Sequence, residues 1–181
     1  MSDTVIEIKN LSIGYENKVV ISDVNAAIKQ GEIVGIIGCN GAGKSTFLKT
    51  IRGLLPKKSG AVLYFGKPLE EYDDKELACR VAYLQQHVEV GFGYTGRDIV
   101  LAGRYPYMKW WEKESGEDEM LALDCMAYTG TLDLADRPVT EVSGGQKQRI
   151  LLAKVLAQQT PILFLDAVSY THLTLPTNSR V

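Results

Sequence analysis

Alternation opens the chain. Ile6, Glu7, Ile8 and Lys9 alternate apolar and charged positions, a period of two that turns one strand face toward a core. Val19, Val20 and Ile21, then residues 24–28, continue in this style with Gly and Asn punctuation, so antiparallel strands are predicted here. Residues 32–37 differ: Ile33, Val34, Ile36 and Ile37 leave no polar face, which predicts a buried parallel strand. The period changes over 46–51, where Phe47 or Leu48 shares a helical face with Ile51. Ser59 and Gly60 then turn the chain into a strand over 61–65, ended by Gly66, Lys67 and Pro68. Asp73 with Glu76 three residues on predicts a capping box for a short helix through Arg80, and residues 81–84 read as a second buried strand. From Tyr94 the spacing is helical, over 96–103, over 117–130 with acidic residues in the first turn, and over 145–159 with Leu151, Leu152, Val155 and Leu156 on one face. An apolar strand over 161–166 closes on a single carboxylate, Asp166.

Between the predicted strand 32–37 and the predicted helix lie Gly38, Cys39, Asn40, Gly41, Ala42, Gly43, Lys44 and Ser45. They match G-x-x-x-x-G-K-[ST], the phosphate-cradling P-loop, in the strand–loop–helix context that motif requires. Glycines let the backbone take positive φ and approach a ligand with no Cβ in the way. The loop amides and a helix N-terminus then favour negative charge in one small volume. Lys44 would reach β- and γ-phosphates, and the Ser45 hydroxyl would complete part of a Mg²⁺ shell. A triphosphate with Mg²⁺ is the ligand this implies. Asp166 ends a strand of the type that, beside the P-loop strand, carries a metal-organising acid.

Composition narrows the class without changing it. The chain has 181 residues, 45% hydrophobic and 23% charged, with a net charge of −2, so one domain with a real core is expected. That balance gives no nucleic-acid footprint, and no apolar run reaches transmembrane length. Cys39, Cys79 and Cys125 fall in no metal-ligand spacing, which fits a reduced, cytosolic protein.

A second motif is more selective. Val142, Ser143, Gly144, Gly145, Gln146, Lys147, Gln148 and Arg149 resemble the signature sequence of ATP-binding-cassette (ABC) proteins. It is another anion site, a hydroxyl and glycine amides at a helix start. The resemblance implies a P-loop NTPase of the α/β class. Its fold is the ABC nucleotide-binding domain, a RecA-like core with N-terminal antiparallel strands and an inserted α-helical subdomain at about 94–158. It also implies a head-to-tail homodimer in which Ser143, Gly144, Gly145 and Gln146 of one subunit face the ATP held by the other's Tyr15, Gly38, Asn40, Gly41, Ala42, Gly43, Lys44, Ser45 and Thr46. Tyr15 lies where the family stacks an aromatic ring on adenine. Residues 82–86 resemble the Q-loop, with Gln86 as its glutamine and Gln85 where proline is common. Lys44, Gln86 and Asp166 would act in catalysis, and Ser45, Gln86 and Asp166 would organise Mg²⁺. Residues 97–107 look like the corresponding stretch in ATPase subunits of importers for iron chelates, haem and cobalamin. This implies permease partners in the membrane, a substrate-binding protein acting indirectly, and a place on the cytoplasmic face of the cell membrane. Tyr105, Tyr107, Trp110 and Trp111 either line a groove for the membrane subunit or pack inside the helical subdomain. His87 reads as a solvated loop residue.

The resemblance covers residues 1–166 and then fails. The family pattern places a general-base Glu after the strand-end aspartate, and here Ala167 follows Asp166. His172 comes too soon to be the family's switch histidine. Residues 168–177 look like one reading frame of a transposase adapter used in library preparation, and Glu and Ala codons both begin with G. Residues 167–181 are therefore expected to be a non-native tail on a C-terminally incomplete, hydrolysis-deficient domain. A rival reading is a natural nucleotide-binding module without hydrolysis, and another is a soluble cassette ATPase outside transport.

Overall fold

The computed structural model describes residues 3–15, 18–86, 88, 91 and 93–166. Its first layer is an antiparallel sheet. Strand β1 (Thr4–Tyr15) pairs with β2 (Lys18–Lys29) on one side and β3 (Ser59–Tyr64) on the other, and the short β4 (Lys67–Pro68) completes the order β2-β1-β3-β4. Residues 19–28, which read as two stretches, form one strand interrupted by bulges. The register shift between Ile8 and Leu11 has a purpose. Asn10 takes φ 46°, so Ile6 and Ile8 before it, and Leu11 and Ile13 after it, all face the core. Without the extra residue, period two would send Leu11 and Ile13 to the opposite face.

Ser59 and Gly60 belong to β3 instead of a turn before it. The turn lies at the other end, where Phe65 and Gly66 take positive φ. Helix α1 (Lys44–Ile51) packs Leu48 and Ile51 onto this sheet, and Phe47 joins them partly buried. Helix α2 (Asp74–Ala78) stops two residues short of the expected Arg80. Its capping box forms by half: Asp73 accepts from the Glu76 amide at 2.6 Å, but the Glu76 carboxylate pairs with Lys67 at 2.9 Å and does not return to Asp73.

A second, parallel pair joins β5 (Val81–Leu84) to β6 (Ile162–Leu165), with Tyr83 opposite Phe164 and Leu84 opposite Leu165. Both faces of β5 are covered. Val81 and Tyr83 pack with α1 and the first sheet, while Ala82 and Leu84 pack on Leu151, Leu152 and Val155 of α5 (Gly144–Ala157). Helices α3 (Gly96–Leu101), α4 (Gly116–Tyr128) and α5 share an apolar core of their own around Val100, Met126 and Ile150. The expected helix 96–103 changes to a 3₁₀ segment at Ala102–Tyr107. Pro106 within it has no N–H for an α-helical bond to Ala102, and Gly103 passes so close to α5 that a Cβ would lie 2.3 Å from the Lys154 carbonyl.

One expectation fails outright. Residues 32–37 form no strand. Ile33 and Ile37 are almost wholly exposed, and Val34 and Ile36 are also exposed. These two border an apolar trough of about 570 Å³ that also touches Phe47, Ile162 and Phe164. An all-apolar strand needs a packed layer on both faces. The described residues bury none of these side chains, and the segment joins neither sheet.

Candidate functional site

The loop after residue 37 is built by backbone geometry. Gly41 and Gly43 take φ 79° and 91°, and the Ala42 amide donates to the Cys39 carbonyl at 3.2 Å. Gly43 is the N-cap of α1, and no side chain caps that helix. The first-turn amides are thereby left for an external acceptor, and the helix dipole makes an anion the favoured one. Gly43 also touches β2, since a Cβ there would lie 2.6 Å from Val20 Cγ1.

Five predicted side chains converge here. The Lys44 ammonium folds over the loop and donates to the carbonyls of Gly38 at 2.7 Å and Cys39 at 2.8 Å. Ser45 Oγ donates to Asp166 Oδ1 at 2.7 Å across 121 residues of sequence. Thr46 Oγ1 and the Tyr15 hydroxyl lie 2.8 Å apart. A cavity of about 600 Å³ is lined by Tyr15, Asn40, Gly41, Gly43, Lys44, Ser45, Thr46 and Gln86, together with Lys18 and Val20. Its size suits a nucleotide. Gly38 and Ala42 shape the loop and are not among the lining residues. Tyr15 is about half exposed, with its ring free on the cavity rim.

Asp166 is 3% exposed, and both of its carboxylate oxygens are engaged: Ser45 donates to Oδ1, and the Tyr83 hydroxyl donates to Oδ2 at 2.8 Å. Burial, with the hydrogen bond to Asp166 next, holds the Tyr83 hydroxyl well above its ordinary pKa, so it stays a donor. Ser45 and Asp166 together form a hard-oxygen donor set. One carboxylate and one hydroxyl beside a phosphate cradle are what Mg²⁺ uses when phosphates and waters supply its remaining ligands. Among the described residues no cluster of three or more His, Cys, Asp or Glu could hold a metal alone. The donor set fits Mg²⁺ carried in with a triphosphate.

The signature residues lie apart from this cavity. Ser143 caps α5 in a reciprocal box, accepting from the Gln146 amide at 3.3 Å while its own amide donates to Gln146 Oε1 at 2.8 Å. Gly144 and Gly145 are exposed, with open space where a Cβ would stand. Ala167, His87 and His172 lie outside the described residues. Tyr105, Tyr107, Trp110 and Trp111 are all exposed, Trp110 at 91%, so they do not pack inside the helical unit. The two tryptophans meet edge to face at 5.4 Å. No helix among the described residues is long and apolar enough to cross a membrane.

Sequence reasoning missed Tyr83, Lys18 and Val20. The last two reach the cavity through the β1–β2 hairpin, and no motif marks them. Tyr83 had one signal: residues 162, 164 and 166 share a face by period two, and the parallel register puts Tyr83 on that face too.

A glycine loop on an uncapped helix, joined through Ser45 to a strand-end carboxylate, defines a P-loop nucleotide-binding domain. The ABC transporter family model matches residues 21–169, and the chain belongs to that family. It is 40% identical over 163 residues to the manganese transport system ATP-binding protein MntB of Listeria monocytogenes, covering 89% of this chain and 66% of that protein. It is 37% identical over 158 residues to the iron(3+)-hydroxamate import ATP-binding protein FhuC of Bacillus subtilis, covering 87% and 59%. Among solved structures, cbiO1 from Clostridium perfringens, part of the ABC transporter complex cbiONQ, superposes with a TM-score of 0.71 at 27% identity, covering 91% of this chain and 66% of that one. The chain spans less than two thirds of the length of these relatives.

Proposed function

We propose that this chain is the nucleotide-binding part of an importer ATPase, with residues 1–166 a partial ABC ATPase domain and 167–181 a non-native tail. The observation that carries the reading is the Ser45–Asp166 hydrogen bond beside the loop of Lys44. A cation and a hydroxyl thus line one nucleotide-sized cavity, with a carboxylate bonded directly behind the hydroxyl. Lys44 leaves the loop carbonyls and donates to the β- and γ-phosphates, and the amides of the first turn of α1 take the remaining oxygens. Bound Mg²⁺ would neutralise charge on the transferred phosphoryl group. Ser45 and Asp166 would hold it, with Gln86 on the cavity wall. Tyr15 stacks on the adenine.

Ser143, Gly144, Gly145 and Gln146 meet ATP on a second copy; their position outside the lining of the chain's own cavity and the exposure of Gly144 and Gly145 support this. The exposed aromatic residues 105, 107, 110 and 111 form the docking surface for an integral-membrane permease on the cytoplasmic side, and a substrate-binding protein acts through that permease. An iron-siderophore, haem or cobalamin is the cargo read from residues 97–107. The iron-hydroxamate relative supports that class, and the manganese relative at similar identity leaves a bare metal ion as the competing cargo.

Lys44→Ala tests the core of this reading. Removing a charge-assisted donor should weaken ATP binding about tenfold to a hundredfold, measured by calorimetric titration. Unchanged affinity would reject the phosphate cradle. A second reading, binding without hydrolysis, is favoured by Ala167 where the family pattern has its base. Single-turnover assays with ATP should then show retention without phosphate release, whereas release at ordinary cassette rates would exclude it.

A further inference from the structure

We infer that Tyr83 is a positioning residue for the metal-binding carboxylate, linking the strand that leads into Gln86 with the strand that ends in Asp166. The inference rests on the nucleotide-binding reading above and deepens its metal site. Three observations carry it. The Tyr83 hydroxyl donates to Asp166 Oδ2 at 2.8 Å, while Ser45 occupies Oδ1 at 2.7 Å. The Asp166 amide donates to the Leu84 carbonyl at 2.9 Å, which fixes the backbone of the carboxylate to the residue after Tyr83. Tyr83 is half-buried against the core, and Gln86 stands three residues further along the same chain, on the cavity wall.

A carboxylate held by one hydroxyl can still rotate about its terminal torsion, which is broad. A second donor on the other oxygen removes that freedom. With Tyr83 in place, Oδ2 is fixed toward the strand pair, and Oδ1 is fixed toward Ser45 and the loop. Oδ1 is then kept on Ser45, the hydroxyl that lines the nucleotide-sized cavity. Partners that orient a ligating carboxylate commonly contribute tenfold or more to metal affinity. Because Tyr83 and Gln86 share one short segment, a shift of that segment would move the hydroxyl from Oδ2. The metal site would then register where the Gln86 segment lies.

Titrating ATP into the chain at graded Mg²⁺ concentrations, and again in excess chelator, tests the inference. In Tyr83→Phe the ring and its packing remain. The Mg²⁺ concentration that half-restores tight ATP binding should rise about tenfold, with ATP affinity in chelator unchanged. An unaltered Mg²⁺ midpoint would overturn the inference and leave the nucleotide reading intact. So would equal losses with and without Mg²⁺, which would mark Tyr83 as a packing residue only. Absence of any Mg²⁺-dependent ATP binding in the unsubstituted chain would overturn both readings together.

Discussion

Gly43 carries two demands at once, and substitution separates them. Its φ of 91° lies where only glycine is unstrained, and a Cβ would also press to 2.6 Å on Val20 Cγ1 and 3.2 Å on Ile21 Cδ1. Gly41 shares the first demand, at φ 79°, but has open space around it. Gly41→Ala should therefore cost about 1–2 kcal/mol from backbone strain alone, and Gly43→Ala should cost about 1 kcal/mol more from the clash with β2. Paired urea denaturations of the two variants measure that difference. Equal costs would mean that the loop moves off β2 freely. At this scale the sequence was legible wherever chemistry fixes spacing. Lys44 and Ser45 follow from the loop motif, and Asp166 follows from the strand it terminates. Tyr83 was not legible, because its partner across the sheet depends on strand register, which a single strand's pattern does not contain.

Elements in the helical unit are held by caps that the usual signature overlooks. Thr95 with Asp98, and Ser115 with Asp118, each form a full reciprocal box, yet both use Asp where the S/T-x-x-E/Q pattern asks for Glu or Gln. Ser143 with Gln146 fits that pattern and closes fully, whereas Asp73 with Glu76 closes by half because Lys67 takes the Glu76 carboxylate. Helix existence was thus readable from apolar spacing, while the cap chemistry needed the neighbours. Asp118 also binds Arg104 at 2.8 Å, with both side chains largely buried, and Arg104 reaches the Ala157 carbonyl at the end of α5. The hydrogen bond from Arg104, then that from Ser115, holds the Asp118 carboxyl below its usual value. Because the folded value is depressed, this contribution is complete above the unfolded carboxylate value of about 3.9 and is lost as pH falls through the folded value. Asp118→Asn keeps an oxygen for the cap and removes the charge. It should cost about 2 kcal/mol at pH 7, and the gap from the unsubstituted chain should narrow as pH approaches 3. Thermal melts of both proteins across that range check it. A gap independent of pH would show that the Arg104 pairing contributes nothing through charge.

For the whole molecule, the misread segment 32–37 has a physical consequence. The apolar run predicts a buried strand, but a strand's place depends on what covers it, and covering layers come from elsewhere in the fold. In this structure Ile33 and Ile37 stand in solvent at 100% and 98% exposure, and Leu163 and Leu165 are exposed on β6. Among the described residues β6 pairs with β5 alone, which leaves its other edge open. An exposed strand edge next to exposed β-branched residues is a template for pairing with another chain. The chain should therefore self-associate at micromolar concentration, seen as a sedimentation coefficient that rises with loading. Ile33→Lys with Ile37→Lys places two like charges on this surface at positions that lose almost no packing. The double variant should shift association to higher concentration, and raising salt should partly restore it by screening the repulsion. If the pair of lysines leaves association unchanged, residues 32–37 are not the contact. If they instead lower the melting temperature by several degrees, Ile33 and Ile37 spend their time buried, and the segment occupies the sheet as its apolar pattern first indicated.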